Sequence, residues 1–322
     1  MWEQIAFSNT ERGCYSLIMG GMFAILAALS FTFDNILIRK GLTEEHPGSI
    51  WDMRFVISLA SICVFIGGVF IAALFGFNIK EELEHLSFSA VFILIISGAL
   101  GPLLGAVLYS IAIAQIGASH TAALFGGSNP IFATLLAVVF LAEVPDLIGL
   151  FSVVIIVGGI VVVGYHGHEG TVMLLEKTKI AGGIIALLAG VTAAVSQIGR
   201  GAALNLGATP ITALFIFHAT ALVIVTVICL INKGNLSYLK HISRKSLYCY
   251  SGSGTALLAG NYFFFISLTL IPAWQAVAIR NIQPILVLFM SWIFLKTVDR
   301  INWRLIFGAA LVTLGVIILN VY

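Results

Sequence analysis

Arg280 and Asn281 lie inside "QAVAIRNIQPILVLFMSWIF", Gln275 to Phe294, a run that is otherwise almost pure hydrocarbon. A guanidinium stays charged under ordinary conditions and offers five N–H donors in a planar fork, a shape that matches a carboxylate or a phosphate. A charge inside a membrane-spanning helix costs about 2.5–3.5 kcal/mol on insertion scales, so it normally faces a cavity or a partner. Two readings of Arg280 follow. It receives an anionic group of a ligand, or it is satisfied by backbone carbonyls, Asn and Gln side chains and water. Pro284 has no N–H and frees the carbonyl four residues earlier, that of Arg280 itself. Asn129-Pro130 repeats the combination in the first half of the chain. Both prolines can also be read as inert kinks.

Other reactive types are sparse. His218 is of a type that titrates near neutral pH, although a single histidine in a helix is commonly a packed hydrogen-bonding residue. Trp274 and Tyr262 can stack on a planar substrate or serve as interface anchors. The loop "HGHE" (166–169) holds metal-ligand types without a second cluster, and no metal site is expected. The cysteines, Cys14, Cys63, Cys229 and Cys249, form no C-x-x-C pair, and the reading is of free thiols. There is no G-x-x-x-x-G-K-[ST], H-E-x-x-H or G-x-S-x-G pattern and no paired carboxylates, so neither an enzyme nor a cofactor is expected.

The elements that must hold these residues are set by composition. Of 322 residues, 60% are hydrophobic and 9% charged, with a mean hydropathy of +1.09. Soluble domains carry about 25% charged residues, so a water-soluble enzyme is excluded, and a net charge of +2 is too small to suggest nucleic acid. The first segment, 1–15, reads as a polar tail with no apolar core for a cleavable signal. Ten apolar runs of spanning length follow, near 16–38, 51–75, 89–114, 119–141, 147–165, 180–203, 209–231, 247–271, 273–296 and 302–321. In lipid all must be helices. The breaks "IGAS" and Ile271-Pro272 are so short that the third and fourth, and the eighth and ninth, form tight hairpins.

The chain repeats itself. Segment 20–42 slides over 182–204 with Gly20, Gly21, Ala24, Leu26, Ala27, Ile36 and Leu42 meeting identical residues, and Asn129-Pro130 falls on Gln283-Pro284. The expected organisation is a first repeat over 16–165, a linker over 166–179 and a second repeat over 180–322. Five spans per repeat is an odd number, so the second enters the membrane from the opposite side, a construction common to secondary transporters. Two five-helix repeats, each with a short apolar hairpin and a mid-helix proline, resemble the drug/metabolite transporter superfamily, the EamA-type branch above all through "ALFGGSNPIFATLLAVVFLAEVPDLIG". The second copy departs in having Thr297 where the first has Glu143. The resemblance implies ten helices around a central cavity that moves metabolites by alternating access. It leaves open amino acids, nucleotide sugars, sugar phosphates, drugs and nucleoside-like cofactors.

Depth follows from a rise of about 1.5 Å per residue. With the N-terminus on side A, Arg280 lies about 10 Å from the side-A edge, Asn261 about 15 Å and Gln197 about 9 Å. Asn281, Tyr262 and Gln283 flank this layer, and Asn129 and His218 lie nearer the midplane. Arg280 is then the only fixed positive charge of the cavity. Asp34 differs from it in level by about 15 Å and pairs more naturally with Arg54, beside Asp52, as a structural ion pair or side-B gate. Most lysines and arginines gather on side B, from Arg39 and Lys40 through Lys240, Arg244 and Lys245 to Lys296, Arg300 and Arg304, while side A keeps Arg12, Lys80 and Arg200. That asymmetry places side B in the cytoplasm and both termini outside, in a bacterial inner (plasma) membrane.

The expectation is an all-α polytopic membrane protein of ten helices in two inverted five-helix repeats, a monomer or weak dimer in the bilayer. Its expected function is secondary active or facilitative transport of small polar or anionic metabolites, such as an amino acid or a nucleoside-like cofactor. Translocation of a lipid or lipid-linked sugar is the alternative.

Overall fold

The computed structural model describes residues 2–42, 44–46, 48–76, 78–84, 86–116, 118–164, 177–233, 242–283, 285–286, 289–290 and 303–321. Among them no strand occurs, as expected of segments with no water to satisfy an open sheet edge. The helices are α1 (Trp2–Leu42), α2 (Ile50–Leu74), α3 (Ile79–Glu84), α4 (Phe88–Ala99), α5 (Ala106–Ile116), α6 (Ala118–Leu141), α7 (Leu147–Gly164), α8 (Lys177–Asn205), α9 (Pro210–Lys233), α10 (Arg244–Leu270), α11 (Ala273–Arg280) and α12 (Trp303–Val321). Among the described residues seven stretches are long and apolar enough to cross a membrane: Tyr15–Leu42, Ile50–Leu74, Phe88–Ala112, Leu124–Leu141, Ile180–Asn205, Pro210–Asn232 and Arg244–Leu270. Leu147–Val162 is apolar but shorter.

Three details add to the sequence reading. The polar segment 1–15 is helical, α1 starting at Trp2, and the apolar stretch of α1 begins at Tyr15. Nothing in that polar segment breaks a helix. The third run is one rod with a change of winding. A π-turn over Leu100–Gly105 joins α4 to α5, and Pro102 within it removes one N–H from the ladder. The ninth run does not continue as one helix from 273, since α11 ends at Arg280 and a turn follows at Asn281 and Ile282.

Helix starts obey local capping rules. Ser49 and Asp52 form a capping box at α2, and Ser87 and Ser243 cap α4 and α10 through their side chains. The hairpins expected at Ile116–Ser119 and Ile271–Pro272 are present, with α5 and α6 separated by one residue and α10 and α11 by two.

Packing is governed by small residues. α1 lies along α10, α7 along α12, and α6, α4 and α5 against α8. At the α7–α12 contact a Cβ added to Gly159 would sit 2.7 Å from Gly308 O, and one added to Gly315 would sit 2.7 Å from Ile156 Cγ1. Close approach of this kind is what small residues provide between helices when lipid offers no hydrophobic drive. The largest core cluster joins α1, α6, α7, α8, α10, α11 and α12, and it includes Phe31 and Phe264, the rings against Arg280.

Candidate functional site: a buried cationic layer

α8 carries Gln197 and Arg200 three residues apart, hence on one face of the helix. Arg200 is only 4% exposed. Its Nη1 donates to Asn261 Oδ1 at 2.7 Å and its Nε to Ser196 O at 3.4 Å. The guanidinium lies over Phe217, Phe264 and Phe265, at 4.7, 4.8 and 5.6 Å from the ring centroids. Desolvated cation–π contacts contribute about 2 kcal/mol each, which offsets part of the cost of holding this charge away from water. Asn261 Nδ2 donates to Leu257 O at 2.9 Å and sits 3.3 Å from His218 Nε2. Arg200, Asn261 and His218 thus form one polar line across α8, α10 and α9.

Arg280 is 8% exposed and lies over Phe31 and Phe264, at 5.1 and 5.4 Å from the centroids. Its Nε is buried without a hydrogen-bond partner. Among the described residues no carboxylate comes within 4.0 Å of either guanidinium. Phe264 therefore serves two buried cations at once.

A second polar line crosses between the halves. Asn281 Nδ2 donates to Asn129 Oδ1 at 2.9 Å and to Val277 O at 2.7 Å, and Asn129 Nδ2 donates to Gly190 O at 3.1 Å. Gln283 Nε2 reaches Phe31 O at 3.3 Å. Gln197 is 1% exposed, and its Oε1 has no hydrogen-bond partner.

Arg280 and the Arg200 that Asn261 holds thus both lie at Phe264, and Asn281 bonds to Asn129. Elsewhere the structure departs from the depth reading or refines it. Arg280 is not the only fixed positive charge, because Arg200, taken from sequence as a side-A charge, is buried in the same layer. The signal was available: Arg200 follows Gln197 by three residues, so a face that buries one buries both. Tyr262 is 36% exposed beside Phe263; a residue next to the inward Asn261 is turned about 100° around the helix and cannot share its face. Asp34 accepts from Ser253 Oγ rather than forming a direct ion pair with Arg54. The two charges still act on each other, while Arg54 Nε is buried without a hydrogen bond. Asp52, expected beside Asp34, serves the α2 capping box. Pro130 lies within an unbroken α6. Pro284 and the "HGHE" loop fall outside the described residues, and among those described no group of three metal-ligand side chains occurs.

Trp274 belongs to a different place. With Gln275, Pro272, Glu143, Asp146 and Gly149 it lines a cavity of about 300 Å³ at the end where α6 stops and α7 and α11 begin. α6 closes on Ala142, whose φ of 56° is left-handed, and Glu143 N bonds back to Ala137 O at 3.3 Å. This stop lets the Glu143 carboxylate accept from Ala273 N at 2.7 Å, so the end of a first-half helix caps the start of α11. Desolvation pushes the Glu143 carboxyl above the ordinary glutamate range, against the backbone donors of Ala273 and Trp274 that favour its ionised form.

Long apolar helices packed around buried guanidinium and amide groups define an integral, multi-pass membrane protein. The chain belongs to the EamA-like transporter family, whose sequence profile matches it twice, over residues 18–165 and 180–321. Together the two matches cover most of the chain. No curated protein matches the chain. A solved structure described only as a crystal structure of a protein is similar at 12% identity, with a TM-score of 0.69, covering 93% of this chain and 95% of that one. At that identity the likeness concerns the fold.

Proposed function

We propose that the protein is a secondary active or facilitative transporter of small anionic metabolites, working by alternating access around the layer of Arg280, Arg200, Asn261, His218, Asn129 and Asn281. The observation that carries this reading is Arg280 itself, buried, resting on two aromatic faces, with an unpartnered Nε. An uncompensated buried charge costs several kcal/mol, and a carboxylate or phosphate entering the layer offsets that cost by charge-assisted bonds to the fork.

The family copies supply the machinery. Ten spans, five in each copy, enter the membrane from opposite sides and give two gates related by the repeat. At side A the gate is the contact of Glu143 with the start of α11, beside the cavity that Trp274 lines. At side B it is the neighbourhood of Asp34, Ser253 and Arg54. The short α11 links these events to the site, because its first residue is held by Glu143 and its last is Arg280. Releasing one end frees the helix to carry its charged end.

Counterflow in proteoliposomes tests the reading. Uptake of a labelled carboxylate or phosphate is expected, with a loss of tenfold or more in Arg280→Gln. Uptake of anions that is unchanged in Arg280→Gln, or transport confined to lipid head groups, removes the proposal.

A further inference from the structure

We infer that Arg200 is a second anion-binding group and that the substrate is a compact dianion, either a phosphate monoester or a short dicarboxylate; this rests on the anionic reading of the Arg280 layer. Both guanidiniums lie over the ring of Phe264, at 4.8 and 5.4 Å from its centroid. They are therefore no more than about 10 Å apart, a range in which like charges repel appreciably inside a low-dielectric layer. Both residues are more than nine-tenths buried. Asp34, the deep carboxylate among the described residues, is engaged with Ser253, and Asp52 with the α2 cap. No described carboxylate reaches either guanidinium.

The donors are unevenly committed. Arg200 spends Nη1 on Asn261 and Nε on Ser196 O and keeps its remaining N–H groups. Among the described residues Arg280 is held by ring faces alone. A monoanion bound at Arg280 neutralises one charge and leaves Arg200 uncompensated in the same layer. A ligand with two negative charges neutralises both, and the spacing of the two guanidiniums limits it to a compact molecule. Arginine suits either head group because its fork binds both phosphate and carboxylate in two-point contacts. Asn261 holds the Arg200 fork in place, so it acts as a positioning residue.

The test compares anions in proteoliposome counterflow: succinate and glycerol 3-phosphate as dianions, lactate and pyruvate as monoanions. The wild-type protein is expected to take up one of the dianions at least tenfold better than either monoanion, and the preferred one tells dicarboxylate from phosphate. Arg200→Gln should reduce that preference tenfold or more, with Arg200→Lys retaining an intermediate preference. To guard against misfolding, the thermal shift given by succinate and by lactate is measured on the same purified variants. Arg200→Gln should lose the excess shift given by the dianion. Equal handling of mono- and dianions by the wild type, or a preference unchanged in folded Arg200→Gln, overturns this inference while leaving an Arg280-dependent anion transporter intact. Absence of any anion uptake removes the broader reading as well.

Discussion

α6 and α11 open corresponding segments of the two family copies, one after a hairpin at Ala118 and the other after a hairpin at Ala273. The first runs 24 residues without a break at Pro130, whereas the second is interrupted after eight, at Arg280, by a turn at Asn281 and Ile282 before helix resumes at Gln283. A proline alone does not decide the matter. In α6 it costs one ladder bond, that to the Gly126 carbonyl, without ending the helix, and Thr134 Oγ1 donates to the Pro130 carbonyl at 2.8 Å. In the second copy Arg-Asn-Ile-Gln occupies the turn, and the Asn281 side chain takes the Val277 carbonyl while its backbone N–H is shared between Val277 and Ala278. Such a side chain competes with the ladder. The neutral segment continues as one helix, whereas the charged one is broken just after its cation.

Substitutions in both segments can break or sharpen this contrast. Arg280→Gln should lower anion uptake tenfold or more, whereas Pro130→Ala in the unbroken α6 should leave uptake within about twofold; equal losses would abolish the distinction between the copies. Asn281→Ala leaves Asn129 Oδ1 buried and unpaired, and should destabilise the protein by about 1–3 kcal/mol. A double-mutant cycle with Asn129→Ala, read by denaturation in detergent, should recover part of that loss. Ala142→Gly should raise stability by about 1 kcal/mol, because a left-handed Ala carries a steric cost that Gly lacks; a decrease would show that the Glu143 stop needs the methyl group. Glu143→Gln should have the smallest effect. A raised carboxyl binds protons more tightly in the folded state, so stability falls as pH rises from the ordinary glutamate range through the raised value. The variant should flatten that slope in a thermal-unfolding series over pH, and an unchanged slope would assign it to another group.

Much of the fold was legible in the chain. Ile50–Leu74, Ala118–Leu141, Leu147–Gly164 and Pro210–Lys233 start and end within a residue or two of where hydropathy breaks place them. A spanning segment is specified by its own composition, since every residue in it meets the same apolar surroundings. The π-turn at Leu100–Gly105 and the end of α11 were not legible, because each depends on how a few backbone bonds are shared with neighbouring helices. The candidate site was half legible. Rise per residue brought Asn261 and Arg280 to one layer, but it carries no azimuth, so it could not exclude Tyr262. Arg200 lies close enough to the end of its apolar run to be taken for a surface charge.

By itself the sequence determined a membrane protein of two related halves, with Arg280 as a costly charge in the second half. Those follow from composition and order, which act locally. Only the tertiary structure decided that Arg200 joins Arg280 at Phe264, that Asp34 is bound to Ser253, and that Glu143 reaches across to the start of α11. Each is a contact between helices distant in sequence, fixed by which faces the packed glycines allow to meet.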